Sequence, residues 1–76
     1  MLGLRKINPA KIVEARGERT RNSVAQRAGN KFTERDLYNW EKGLNLPREE
    51  RLPYLLLGLG VTYDQITDEV SLEIAG

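Results

Sequence analysis

Apolar residues recur along this chain in short helical bursts, each bounded by a capping residue and a glycine. The clearest burst lies between Arg48 and Leu59, where Leu52, Leu55, Leu56 and Leu59 fall at i, i+3, i+4 and i+7, one stripe of a helix. Tyr54 and Leu57 lie off the stripe. Pro53 falls inside it, so either the helix proper begins around Leu52-Pro53 or its first turn is kinked there. Gly60 ends it. Upstream, Asn8-Pro9 opens a helix that Gly17 closes: asparagine caps well, and proline at the first helical position loses only an N–H that had no partner. Ile12, Val13 and Ala15 supply its apolar side.

Between these two lies the stretch that organises the chain, Thr20 to Gly43. It predicts a helix from an N-cap at Thr20 to a stop at Gly29, then a second from an N-cap at Thr33, with Asp36 at N3, to a stop at Gly43. Val24, Ala25 and Ala28 form the buried side of the former, and Arg21, Gln26 and Arg27 point outward. Leu37 and Trp40 share a face of the latter and belong to the core, although the ring of Trp40 could instead stack on a base. Ile7 with Ile12, Phe32 with Leu37 and Val61 with Ile66 each have the spacing of a hydrophobic staple around a cap. Thr62-Tyr63-Asp64-Gln65 opens a fifth helix with a capping box. From Glu69 to Ile74 polar and apolar residues alternate, which fits an extended segment able to pair with another chain, a frayed tail or a continuation of the fifth helix.

The expectation is an all-α, compact five-helix domain: an arm over residues 1–8, the helical domain over 9–67 and a tail over 68–76 that is a possible dimer contact. Seventy-six residues support one such domain with an economical core. There is no cysteine and no histidine, which removes disulfides, thiolate zinc sites and the commonest general base. No phosphate loop, nucleophile elbow or HExxH motif is present, so no enzyme activity, cofactor or metal is expected. No apolar run reaches the ~20 residues of a membrane span, and the N-terminal apolar stretch is too short for a signal peptide, so the expected location is cytoplasmic.

Net charge is +1, but its distribution is polar: residues 1–48 hold eleven Lys/Arg against five Asp/Glu, and residues 49–76 hold one against six. One half is therefore suited to a polyanion and the other to water or a protein partner. Ordinary solvated surface is the alternative.

Two capped helices joined so tightly, placed second and third of five, resemble the helix-turn-helix of the Cro/phage-repressor (XRE-type, lambda-repressor-like) DNA-binding family. The pieces that carry the resemblance are Thr20–Gly29 with Val24-Ala25, the ending Leu37-Tyr38-Asn39-Trp40-Glu41-Lys42-Gly43, and Leu46-Pro47 followed by Leu59-Gly60-Val61-Thr62-Tyr63-Asp64-Gln65-Ile66. The chain departs from the family pattern in an apparent insertion at Asn30-Lys31, in Arg19 where an apolar residue is common, in Arg21 where glutamine is frequent, and in Pro53.

The resemblance implies sequence-specific binding of double-stranded DNA, an operator of palindromic form, by a small Cro-type transcriptional repressor, with the third helix in the major groove. With Leu37 and Trp40 inward, Glu34, Arg35, Tyr38 and Asn39 project toward base edges: Arg35 suits guanine, Glu34 cytosine N4, Asn39 adenine or phosphate, and Tyr38 a thymine methyl or phosphate. Arg21, Lys31, Thr33, Lys42 and Asn45 are the phosphate candidates. Glu41 is expected to be a structural partner for an arginine such as Arg16. Binding across two half-sites calls for a homodimer, for which Tyr54 and Leu57 are candidates, and no small-molecule ligand is expected. The alternative is a protein-interaction module on the same fold, antitoxin-like, using the leucine-rich and C-terminal surfaces.

Overall fold

The computed structural model describes residues 4–70. Among them are four α-helices, α1 (Pro9–Arg16), α2 (Arg21–Arg27), α3 (Glu34–Glu41) and α4 (Leu52–Leu59), a single 3-10 turn (Tyr63–Ile66), and two strands, β1 (Leu4–Ile7) and β2 (Thr67–Val70). The domain is compact and mostly helical, with a two-stranded antiparallel sheet made from its two ends.

The caps form as their chemistry requires. Asn8 Oδ1 accepts from the Ala10 N–H, Thr20 Oγ1 from Ser23, and Thr33 Oγ1 from Asp36, whose carboxylate in turn accepts from the Thr33 N–H. Gly17, Gly29, Gly43 and Gly60 all take positive φ where helices end. Pro53 resolves to the start of a helix: α4 begins at Leu52, so the proline sits at its second position, where no helical N–H is lost. The apparent insertion at Asn30-Lys31 is accommodated by a second left-handed residue, Asn30 at φ 58, directly after Gly29, and the Asn30 N–H returns to the Ala25 carbonyl at 2.9 Å.

The core gathers Ile12, Val24, Ala25, Ala28, Phe32, Leu37, Trp40, Leu55, Leu59 and Ile66. Fully burying a residue such as Leu37 contributes about 1.5–3 kcal/mol. Trp40 is a core residue, 4 % exposed, with its ring tilted against Phe32 at 5.1 Å. Small residues bring α2 and α4 together: a Cβ on Gly58 would stand 2.6 Å from the Val24 carbonyl oxygen. Val13, expected on the apolar side of α1, is instead 41 % exposed.

The all-α, five-helix expectation is corrected at both ends. The N-terminal arm is a strand, and it pairs with β2 in the register Leu4↔Val70, Arg5↔Glu69, Lys6↔Asp68, Ile7↔Thr67. The fifth helix is a single 3-10 turn because Thr67 turns extended (φ -126, ψ 157). Its N–H goes to the Asp64 carbonyl and its hydroxyl donates to the Tyr63 carbonyl at 2.9 Å, so the partner that would continue a helix is taken. The tail's extended conformation is present over Thr67–Val70, paired within this chain; the alternation from Ser71 to Ile74 lies outside the described residues. Side chains lock the closure. Arg5 Nε donates to Thr67 Oγ1 at 2.7 Å, and Asp68 accepts from Asn8 Nδ2 at 2.7 Å while pairing with Lys11 Nζ at 2.5 Å.

Candidate nucleic-acid interface

α3 divides its faces by period. Leu37, Trp40 and Glu41 turn inward, so Glu34, Arg35 and Tyr38 are left outward, with Asn39 half-buried at the margin. Glu34, Arg35 and Tyr38 line one open depression of about 510 Å³ together with Arg21 from α2. Three residues expected to meet base edges and one expected to meet phosphate thus share a single concavity.

Arg21 is held there from below. Its Nη2 lies 3.0 Å and its Nε 3.1 Å from Glu41 Oε1, and its guanidinium carbon stands 5.0 Å from the centre of the Tyr38 ring. Glu41 is in turn bound by Arg16 from α1, Nε to Oε2 at 2.6 Å and Nη2 to Oε1 at 3.1 Å, the partnership expected for it. One carboxylate, with its side chain 1 % exposed, therefore ties α1, α2 and α3 together. Two guanidinium groups against one carboxylate leave net positive charge at the rim of the depression.

Lys42, one turn after Tyr38, places its ammonium 5.6 Å from the same ring centre. Of the two acids in the first turn of α3, Glu34 lines this depression and Asp36 does not. Asp36 closes the capping box of α3 and takes Arg51 Nη1 at 3.0 Å, on a second depression lined also by Trp40, Asn45, Leu46, Arg48, Glu50 and Arg51.

The remaining candidates are dispersed. Thr33 is exposed and its hydroxyl oxygen is engaged in capping. Asn45 lines the second depression rather than the first. Lys31 lies against the Tyr54 ring of α4, 5.7 Å from its centre, so a phosphate candidate and a dimer candidate touch each other. Tyr54 is 37 % and Leu57 60 % exposed, both outside the core as their place off the leucine stripe implies.

Arg19, noted in the sequence only because it stands where an apolar residue is common, is a structural contributor. Its guanidinium donates to the carbonyls of Ala15, Arg16 and Leu59, closing the C-terminal ends of α1 and α4 at once. An arginine two residues beyond a helix-ending glycine is the signal that would have found it. Among the described residues no group of acidic side chains is placed to hold a metal ion, and no helix is long and apolar enough to cross a membrane.

Comparisons of the chain with protein-family models, with curated proteins and with solved structures found no match.

Proposed function

We propose that this chain binds double-stranded DNA in a sequence-specific manner, with α2 and α3 as a helix-turn-helix, and acts as a small Cro-type repressor by occluding its operator. The observation that carries the reading is the shared depression of Arg21, Glu34, Arg35 and Tyr38 on the solvent face of α3. In the groove, Arg35 offers two donors to guanine O6 and N7, and Glu34 accepts from cytosine N4. Asn39 works at the margin on adenine or a phosphate. Arg21 and Lys42 meet phosphate, with Thr33, Lys31 and Asn45 flanking. The reaction surface is a binding surface only, without catalysis or cofactor, and the site of action is the cytoplasm.

Affinity is gained by a homodimer spanning half-sites roughly 34 Å apart. The exposure of Leu57 and Tyr54 on α4 supports a contact there. That same exposure supports the second reading, a protein-interaction module whose partner is another protein. Arg35→Ala separates the two, because it abolishes function under the first reading and leaves it under the second, whereas Leu57→Arg impairs both.

Selection of bound duplexes from a random library tests the proposal. An enriched motif containing G·C pairs, whose discrimination Arg35→Ala relaxes by about 1–3 kcal/mol at one position, is the expected result. A library that leaves the selection unenriched contradicts it.

A further inference from the structure

We infer that Tyr38 is a positioning residue for a phosphate clamp rather than a reader of bases. The inference rests on the DNA-binding reading and assigns this residue a different task within it. Two cations approach one ring: the Arg21 guanidinium from α2 at 5.0 Å and the Lys42 ammonium from the end of α3 at 5.6 Å. Their charges therefore lie no farther apart than those two distances laid end to end. Like charges so placed repel, and the electron-rich face of the ring offsets that repulsion.

Arg21 is fixed on its other side by the buried Glu41 carboxylate, through both Nε and Nη2. It is thus a held donor, whereas Lys42 rests on a flexible stem beside this ring. An ordered pair of cations is what successive anionic groups along a nucleic-acid strand require, because less side-chain freedom is then lost on binding.

The direction of α3 divides the labour. Glu34 stands one turn before Tyr38 and Lys42 one turn after it, so along α3 the acid and Arg35 lie toward the N-terminal end and Lys42 at the C-terminal end, with Arg21 of α2 beside the ring between them. A phosphate next to Glu34 would be repelled; one lying across Arg21 and Lys42 is attracted. Tyr38 remains 42 % exposed, so what the two cations claim is the ring's electron-rich face rather than all of its surface.

The experiment is fluorescence anisotropy of a labelled random-sequence duplex over a salt series, with the full chain, Tyr38→Phe, Tyr38→Leu, Lys42→Gln and the Tyr38→Leu/Lys42→Gln double variant. Circular dichroism confirms that each is folded, and Tyr38→Gln replaces the leucine variant if that one associates. Lys42→Gln lowers the log–log salt slope by about 0.9, the contribution of one phosphate contact. Tyr38→Leu lowers it by at least as much although it removes no charge, Tyr38→Phe keeps the parent slope, and the double variant matches Tyr38→Leu. A Tyr38→Leu slope equal to the parent's overturns the inference while leaving DNA binding intact. A parent chain without salt-dependent binding overturns the DNA reading itself, and the clamp with it.

Discussion

Arg16 and Glu41, on helices that are not consecutive, meet through two parallel hydrogen bonds of 2.6 and 3.1 Å, and the glutamate side chain is 1 % exposed. The same carboxylate also holds Arg21 at 3.0 Å, so the relative placement of α1, α2 and α3 passes through one residue. Breaking a buried pair from one side leaves its partner charged and uncompensated.

Glu41→Ala is accordingly expected to destabilise the domain by about 3–5 kcal/mol, read from urea unfolding. Arg16→Ala approaches that loss. Arg21→Ala falls well short of it, because this guanidinium is 32 % exposed and solvent takes over part of its role. Equal losses for the two arginines would contradict the assignment of Arg16 as the principal partner.

Gly58 and Gly29 separate two reasons for a glycine. At Gly58 an added methyl meets the Val24 backbone oxygen at 2.6 Å, so Gly58→Ala forces α2 and α4 apart and costs about 1–3 kcal/mol. At Gly29 nothing lies within 4 Å, and the cost of Gly29→Ala is the left-handed backbone alone, about 1–2 kcal/mol. Crystal structures of the two variants should show a shifted α4 in the first and an unmoved α4 in the second.

Much of this was legible from local chemistry. Caps at Asn8, Thr20 and Thr33, stops at glycines, and the inward face of Leu37 and Trp40 all follow from residues within a turn of one another, and the Arg16–Glu41 pairing was expected from the place of Glu41 near the end of the third helix. The sheet was hidden for a physical reason: β1 carries its apolar residues at Leu4 and Ile7, three apart, and its partner strand lies sixty or more positions away. Thr67 is polar yet wholly buried, because Arg5 and the Tyr63 carbonyl satisfy its hydroxyl, and no pattern of hydrophobicity announces such a residue. At the candidate interface, periodicity named the outward residues of α3. It could not say that Lys31 would lie against Tyr54 or that Asn45 would line another depression, since loop geometry decides both.

Thr67→Val tests the closure of the two ends. The substitution removes the acceptor of Arg5 Nε and the donor to the Tyr63 carbonyl at a fully buried position, and is expected to cost about 1–3 kcal/mol. Hydrogen exchange of the β1 and β2 amides should accelerate more than that of α2 and α3. A uniform change across the domain would show that the sheet does not open as a separate unit.

Asp68 gives the closure a pH dependence. Hydrogen bonds from Lys11 and then Asn8 hold its carboxyl below the ordinary carboxylate value. A depressed folded-state pKa means that its stabilisation is present above the unfolded value and is lost as pH falls through the folded one. The stability difference between the parent and Asp68→Asn should therefore be constant near neutral pH, shrink as the medium becomes more acid than an ordinary aspartate's titration, and vanish below the folded pKa. A difference that persists at the acid end would exclude the charged partnership as its source.

The central claim is that α3 and its flanking cations meet DNA. The most direct measurement is anisotropy of a labelled duplex with the parent and Arg35→Ala across a salt series. The account predicts parent binding that weakens steeply with salt, with a log–log slope of roughly 0.9 per phosphate contact, and clear loss of affinity for Arg35→Ala. Absence of binding at the lowest salt, or an Arg35→Ala variant indistinguishable from the parent on a selected operator, would contradict it.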